Sequence, residues 1–175
     1  RGMQHVMQAY TADGRIADDM TMLVLQTPAE AAGAREWRFE MPRAMTQLKA
    51  LHTFVEAHGR DGGLDEVQAS ALALAAVELA SNAVRHGGHA EDGGPLEFIF
   101  RAAPDACQLE LFYTGTPFSP PRTLAPDFSG GSEGGFGLFI IRESCDAVRY
   151  GHADGVNHAT LVKRLHAALA ASAGG

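Results

Sequence analysis

A short segment in the middle of the chain carries an acid, an amide and two bases at helical spacing. In the run Glu78-Leu-Ala-Ser-Asn82-Ala-Val-Arg85-His86, the polar side chains recur every three or four residues. Residues at that spacing stack on one side of an α-helix, so these four share a face. The neighbouring residues are apolar, and a polar group buried without a partner costs free energy. The pattern predicts either a solvated helix face or a site for a polar ligand, and an anionic, metal-bound nucleotide would suit it.

A glycine-rich segment further along the chain could supply the other half of such a site. Residues 130–138 read Gly-Gly-Ser-Glu-Gly-Gly-Phe-Gly-Leu and run directly into an apolar, helix-like stretch. Glycines let backbone N–H groups converge on an anion, and a helix N-terminus adds a favourable dipole. Alone, the cluster is more typical of a plain loop, and no Gly-Lys-Ser/Thr follows to complete a P-loop. Combined with the polar helix face, it predicts a phosphate-binding site.

Size and charge restrict the classes of function. The chain has 175 residues, of which 46% are hydrophobic, and a formal net charge of −7 at pH 7. This length allows one folded domain and a fragment of another. The negative charge argues against binding to nucleic acid or to anionic membranes. We find no signal-peptide pattern and no apolar run near the roughly 20 residues of a membrane helix, so no membrane association is expected.

The cysteines and histidines do not predict a metal site. Cys107 and Cys145 are isolated, which favours small buried residues in a reducing compartment, and we expect a cytoplasmic protein. The pair His86 and His89 has no third ligand nearby, so zinc is not expected.

The apolar periodicity predicts the elements that would position these groups. We expect strands at residues 37–41, 95–101, 108–113, 147–150 and 159–162, and helices at 44–58, 64–86 and 138–145. Residues 115–135 form a proline- and glycine-rich connection of unusual length, which favours a functional lid. Residues 1–26 hold only a helix and a strand, too little for a core, so we expect the end of another domain there. Residues 27–35 would be a linker, and 36–175 the main domain.

This order of elements resembles the GHKL ATPases, whose fold is a two-layer α/β sandwich with a mixed sheet and a glycine-rich lid. Three motifs carry the resemblance: Glu78-x-x-x-Asn82-Ala-x-x-His86 is similar to the N box, Gly115-Thr-Pro117-Phe118 to the first glycine box, and Gly135-Phe136-Gly137-Leu138 to the second. The branch it resembles most is that of the bacterial anti-sigma-factor serine kinases. The resemblance covers roughly residues 36–166.

The resemblance implies ATP and Mg²⁺ as cofactors. Asn82 would supply an oxygen to Mg²⁺, and Glu78 would orient or accept the proton of an incoming serine hydroxyl. The other implied nucleotide contacts are Arg85, His86, Tyr113, Gly115, Pro117, Phe118, Gly134, Gly135, Phe136, Gly137 and Leu138. The implied substrate is a STAS-domain anti-sigma-factor antagonist, with a sigma factor as a second partner in the regulation of transcription. The family also makes a homodimer an option.

One position departs from the family pattern. The family has an aspartate two residues before the first glycine box, where it accepts a hydrogen bond from the adenine amino group, and this chain has Tyr113. A phenol is a neutral and weaker acceptor, so the change would cost about 1.5–3 kcal/mol, roughly ten- to a hundredfold in affinity. Two alternatives therefore stay open: a serine kinase, or a non-catalytic module that sequesters its partner.

The first segment resembles a different family. Asp18-Asp19-Met20-Thr21, followed by an apolar strand, is similar to the last strand of PPM-class serine phosphatases. The resemblance implies that Asp18 occupies the position of a metal ligand. Because the other ligands of that class are absent, we expect no complete phosphatase site.

Overall fold

The computed structural model describes residues 34–88, 94–120 and 136–165. The chain divides into two units, Arg1–Glu30 and Ala31–Gly175, and the described residues belong to the second. The predictions made for residues 1–26 with Asp18 and for most of the lid with Gly134 and Gly135 lie outside the described residues.

The described residues form five strands and three α-helices. In chain order these are β1 Arg35–Met41, α1 Leu48–Asp61, α2 Glu66–His86, β2 Leu96–Ala102, β3 Ala106–Thr114, α3 Phe136–Ser144, β4 Ala147–Ala153 and β5 Val156–Arg164. Each predicted element in this part of the chain is present, with shifted ends. The helix predicted from residue 44 begins instead as a short 3₁₀ turn, Met45–Gln47, followed by α1.

The strands form one sheet in the order β1-β2-β3-β5-β4, with the helices packed on one face. The predicted two-layer α/β sandwich is confirmed, but the sheet is not mixed, because all its hydrogen-bonded pairs are antiparallel. The crossover through α3 does make β4 run parallel to β3. Since β5 lies between them, that parallel relation never becomes a hydrogen-bonded pair.

The β4–β5 hairpin is closed by a tight turn at Asp154 and Gly155. Both residues have positive φ, 52° and 78°. Two successive left-handed residues are typical of the type I′ turn, whose twist matches that of the flanking strands. The turn sets Ala153 opposite Val156, and from there the register continues along the hairpin to Ala147 opposite Val162.

Helix α2 is held at both ends. Asp65 caps its start: the Gln68 backbone N–H donates to Asp65 Oδ1 at 2.8 Å, and the Asp65 N–H donates to Gln68 Oε1 at 3.2 Å. The Gln68 side-chain amide also donates to the Arg164 carbonyl at the end of β5, 3.1 Å away. At the other end, the Gly87 N–H bonds to the Ala83 carbonyl at 3.0 Å. These contacts fix the position of α2 along the sheet, and with it the positions of its polar residues.

The same helix provides the centre of the core. Its fully buried side chains include Leu72, Ala76 and Ala80, and they pack against inward-facing residues of the sheet such as Phe98 and Leu111. Among the described residues, α2 is the helix that is long and apolar enough to cross a membrane, contrary to the expectation from sequence. More than half of its most apolar 18-residue window is buried inside the domain, so its apolar character is explained by its place in the core.

The opposite face of the sheet carries a network of ion pairs centred on Glu110. This carboxylate contacts the Arg101 guanidinium on β2 and lies 3.3 Å from His158 Nε2 on β5, and Arg101 in turn bonds to Glu36 at 2.9 Å. Burial raises the pKa of Glu110, but the hydrogen bonds from His158 and Arg101 and their positive charge outweigh burial, so the pKa is lowered overall. Glu110 is 8% exposed, which makes the pairing energetically significant.

Replacing this carboxylate should make the protein less stable, and the loss should depend on pH. A group whose folded-state pKa is depressed contributes stability above its unfolded pKa of about 4.3 and loses it as pH falls through the folded value. We therefore expect Glu110→Gln to lower the free energy of unfolding by about 1–3 kcal/mol at neutral pH. The deficit should shrink as the pH is lowered below about 4.

Urea unfolding at neutral and acidic pH measures this effect. The control is Glu97→Gln, which neutralises an exposed carboxylate on the same sheet face. If Glu110→Gln lost the same free energy of unfolding at both pH values, the shape of Glu110, and not its charge, would account for its role.

Candidate functional site

The start of α3 lies directly against the polar face of α2. A Cβ atom added to Gly137 would be 2.8 Å from Glu78 Oε2 and 3.6 and 3.7 Å from the amide nitrogen and oxygen of Asn82. Real Cβ atoms essentially never approach other atoms within 3.0 Å, so glycine permits this contact. The second glycine motif and the acid–amide pair, far apart in sequence, are thus brought together.

The four polar residues of the α2 motif have different surroundings. Glu78 and Asn82 are half-buried beneath the start of α3, whereas Arg85 and His86 are exposed in the last turn of the helix. Asn82 also lines a small cavity between α2 and the sheet, whereas Arg85 and His86 do not. The helix periodicity placed all four on one face, but only the pair nearer the middle of α2 is covered by another element.

A small cavity opens beside Asn82, between α2 and the sheet. Its walls are Leu79, Asn82, Ala83, Tyr113, Phe118, Tyr150, Gly151, Asn157, His158 and Ala159. Phe118 packs edge-on against Tyr150, with ring centroids 5.2 Å apart. The cavity volume is about 10 Å³, room for about one water molecule. Ligand pockets usually measure about 300–1,000 Å³, so aromatic side chains close this one to anything as large as a purine.

Tyr113 forms one wall of the cavity and contributes no charge. It is 8% exposed, and a Cβ on Gly87 would lie 2.9 Å from its ring. Burial raises the pKa of Tyr113, the positive charge of Arg43 lowers it, and the net pKa is raised. The phenol is therefore neutral at physiological pH, and no carboxylate takes its place among the described residues that line the cavity.

Arg43 joins three chain segments next to Tyr113. Its guanidinium donates to the Gly87 carbonyl at 3.2 Å, to the Gly94 carbonyl at 3.0 Å and to the Thr114 carbonyl, and its Cζ lies 5.6 Å from the centre of the Tyr113 ring. The end of α2, the approach to β2 and the end of β3 are thereby tied together. Sequence reasoning missed Arg43, since nothing in its local context distinguishes it from a surface arginine.

Asn157 forms a second connection that the sequence analysis did not identify. It is 2% exposed; its Nδ2 donates to the Thr116 carbonyl at 3.0 Å, and its Oδ1 accepts the Phe118 N–H at 2.9 Å. His152 Nδ1 lies 3.2 Å from the same oxygen. The available signal was an amide at an inward-facing position of β5, where apolar residues alternate. The side chain anchors the loop of the first glycine motif to the sheet.

The first glycine motif is pressed against the end of α2. Gly115 has φ +148°, and a Cβ there would be 1.8 Å from the Gly87 carbonyl oxygen. No side chain can be accommodated, so this position requires glycine.

Of the other predicted contacts, Pro117 is exposed, Phe136 is 45% exposed at the start of α3, and Leu138 packs on the core.

Comparison with known proteins identifies the domain type. Residues 41–163 match the histidine kinase-like ATPase domain. No curated protein matches the chain. A solved structure of the RsbU and RsbW domains of Rv1364c from Mycobacterium tuberculosis is similar in fold, with a TM-score of 0.52 and 16% sequence identity over 74% of this chain and 32% of that chain. The chain thus spans about a third of that structure's length, and the likeness shows a shared fold.

The packing of Gly115 makes a specific prediction about stability. Gly115→Ala would introduce both a clash with the Gly87 carbonyl and a backbone conformation that alanine rarely adopts. We expect a loss of about 3 kcal/mol in the free energy of unfolding. The matched control is Gly151→Ala, where an added Cβ meets nothing within 4 Å. Thermal or urea unfolding of the two variants tests the packing, and equal stability would contradict it.

Proposed function

Because the chain belongs to the histidine kinase-like ATPase family, we propose that it is an ATP-dependent serine kinase in a bacterial partner-switching pathway. The proposed substrate is a STAS-domain anti-sigma-factor antagonist in the cytoplasm, and a sigma factor is the second proposed partner. The observation that carries the proposal is the contact of Gly137 with Glu78 and Asn82. This contact brings together a carboxylate, which suits a serine hydroxyl, and an amide oxygen, which suits a metal-bound phosphate. It adds a helix N-terminus, which suits an anion.

The residues present fit the phosphate end of ATP better than its base end. Asn82 stands at the edge of the cavity with an oxygen that suits Mg²⁺. Among the described residues, no group of three His, Cys, Asp or Glu side chains could hold a metal alone, so Mg²⁺ would arrive with the phosphates. In the proposed binding mode the base end would enter the cavity lined by Phe118 and Tyr150, and one of these side chains would have to move before a purine could enter.

In the proposed mechanism the protein aligns groups and balances charge, which is most of what phosphoryl transfer requires. Bound ATP supplies the phosphoryl group. Glu78 orients the serine hydroxyl and takes up its proton. Asn82 would hold the metal, and Gly137 lets the first turn of α3 approach both residues. Gly134 and Gly135 are proposed to add backbone N–H groups to the phosphates.

We extend the proposal to the first segment of the chain. Residues 1–26 would be the end of a PPM-type phosphatase domain, with Asp18 at a metal-ligand position of an incomplete site, and 27–35 would be a linker. In support, the similar solved structure combines an RsbU domain and an RsbW domain.

A second candidate function is a non-catalytic module that captures its partner without turning over ATP. The neutral Tyr113 and the closed cavity favour it, because both weaken the case for a bound purine. Calorimetry with ATP and Mg²⁺, followed by a phosphorylation assay on a STAS-domain protein, separates the two functions. Phosphate transfer supports the kinase, whereas partner binding without nucleotide binding supports the module.

Removing the proposed base should separate catalysis from binding. We expect Glu78→Gln to reduce serine phosphorylation about 10²–10⁴-fold, because the hydroxyl loses its proton acceptor. The affinity for ATP should stay within about twofold, since the amide keeps the shape of the carboxylate. Glu143→Gln, on the exposed side of α3, is the control. Full activity in Glu78→Gln would exclude Glu78 from the base role.

Restoring a carboxylate at position 113 should strengthen adenine recognition. We expect Tyr113→Asp to tighten ATP binding roughly ten- to a hundredfold in calorimetry, because a charged acceptor replaces a neutral phenol. Tyr113→Asn is the size-matched control that opens the same space without the charge. GTP lacks the amino group at that position of the base. Its affinity should therefore rise no more in Tyr113→Asp than in the control Tyr113→Asn. An unchanged ATP affinity in Tyr113→Asp would refute this account of the residue.

A further inference from the structure

We propose that Asn157 is a latch that holds the cavity closed and thereby lowers the apparent affinity for nucleotide. The inference rests on the proposed function, because the base must enter this cavity for the latch to matter. It concerns a residue on β5, outside the three sequence motifs, whose side chain bonds to the loop that follows β3.

The latch consists of two hydrogen bonds to one short stretch of backbone. Asn157 Nδ2 donates to the Thr116 carbonyl, and Asn157 Oδ1 accepts the Phe118 N–H. The two backbone groups flank Pro117, which has no N–H of its own. Both functions of the amide are therefore used to hold the residue whose ring closes the cavity.

Of the three aromatic residues that line the cavity, Phe118 is the one whose backbone can move most easily. Tyr113 and Tyr150 belong to strands: Tyr113 lies opposite Asn157 in the β3–β5 pair, and Tyr150 lies opposite Ala159 in the β4–β5 pair. Their backbones cannot shift without breaking the sheet. Phe118 lies beyond the end of β3, outside any strand, and is bound to the sheet through the Asn157 side chain.

The effect on affinity follows from the populations of closed and open states. A ligand that binds only the open state has its apparent affinity reduced by the fraction of molecules that are open. Two neutral hydrogen bonds hold the closed state, and removing them should raise the open fraction by roughly tenfold. If Asn157 only stabilised the loop, replacing it would have the opposite effect on the affinity for ATP, because a looser loop would weaken binding.

The main test is Asn157→Leu, which removes both bonds and keeps a branched side chain of similar shape, so that the cavity is not enlarged by the substitution itself. We expect it to bind ATP with Mg²⁺ about tenfold more tightly than the unaltered chain in calorimetry. His152→Ala is the control: it removes the neighbour of Asn157 Oδ1 but leaves both bonds to the loop, so ATP affinity should not change. Equal or weaker binding by Asn157→Leu would overturn the latch.

A measurement on the unaltered chain avoids any question of folding. The Phe118 amide should exchange slowly with solvent in the free protein and at least about tenfold faster with saturating ATP, because opening breaks its bond to Asn157. The Leu111 amide, within the sheet, should exchange equally slowly in both states and serves as the reference. Undiminished protection of Phe118 with ATP bound would overturn the proposal.

Failure of the latch and failure of the nucleotide site give different results. If Phe118→Ala binds ATP more tightly and Asn157→Leu does not, the ring rotates away by itself and the latch is wrong, while the nucleotide site stands. If neither the unaltered chain nor any variant binds ATP, the proposed nucleotide site and the latch are both wrong.

Discussion

The candidate site depends on where α2 ends. The Gly87 carbonyl accepts a hydrogen bond from Arg43 and lies against Gly115, so the end of the helix and the first glycine motif meet at one peptide group. Arg43 also bonds to the Gly94 carbonyl and so ties the approach to β2 to the same place. A helix one residue longer would push Gly115 away and carry the loop of Phe118 with it. The capping of α2 at Asp65 supports the same arrangement, because it fixes how far along the sheet the helix reaches.

The surroundings of this site differ in polarity from one side to the other. Glu78 and Asn82 lie on the side towards α3, whereas Tyr113, Phe118 and Tyr150 form an aromatic, uncharged side towards the sheet. An ATP molecule has the same division between its phosphates and its base. In the proposed binding mode the polar half would face the phosphates, and the apolar half, where Phe118 packs against Tyr150, would face the base. In the proposed kinase, these rings would restrain the affinity for nucleotide.

Local sequence patterns predicted the elements well and the contacts between them less well. The limits of α2 follow from Asp65, the apolar periodicity and Gly87, all of which act within a few residues. The two motifs that meet at Gly137 could be recognised, but their contact depends on the packing of α3. Arg43 and Asn157 were missed because the backbone groups they bond to lie 39 to 71 residues away in the sequence. A polar residue with such partners has no local signature.

The β4–β5 turn has a consequence for how this domain can vary. In β5, Asn157 faces the helices and His158 faces the opposite side, where it meets Glu110. A shift of the hairpin by one residue would exchange the two, placing an imidazole in the cavity and an amide beside the carboxylate. Insertions or deletions at Asp154-Gly155 that shift the register would therefore disturb both faces of the sheet at once. The length of this turn is therefore constrained by contacts on both faces of the sheet.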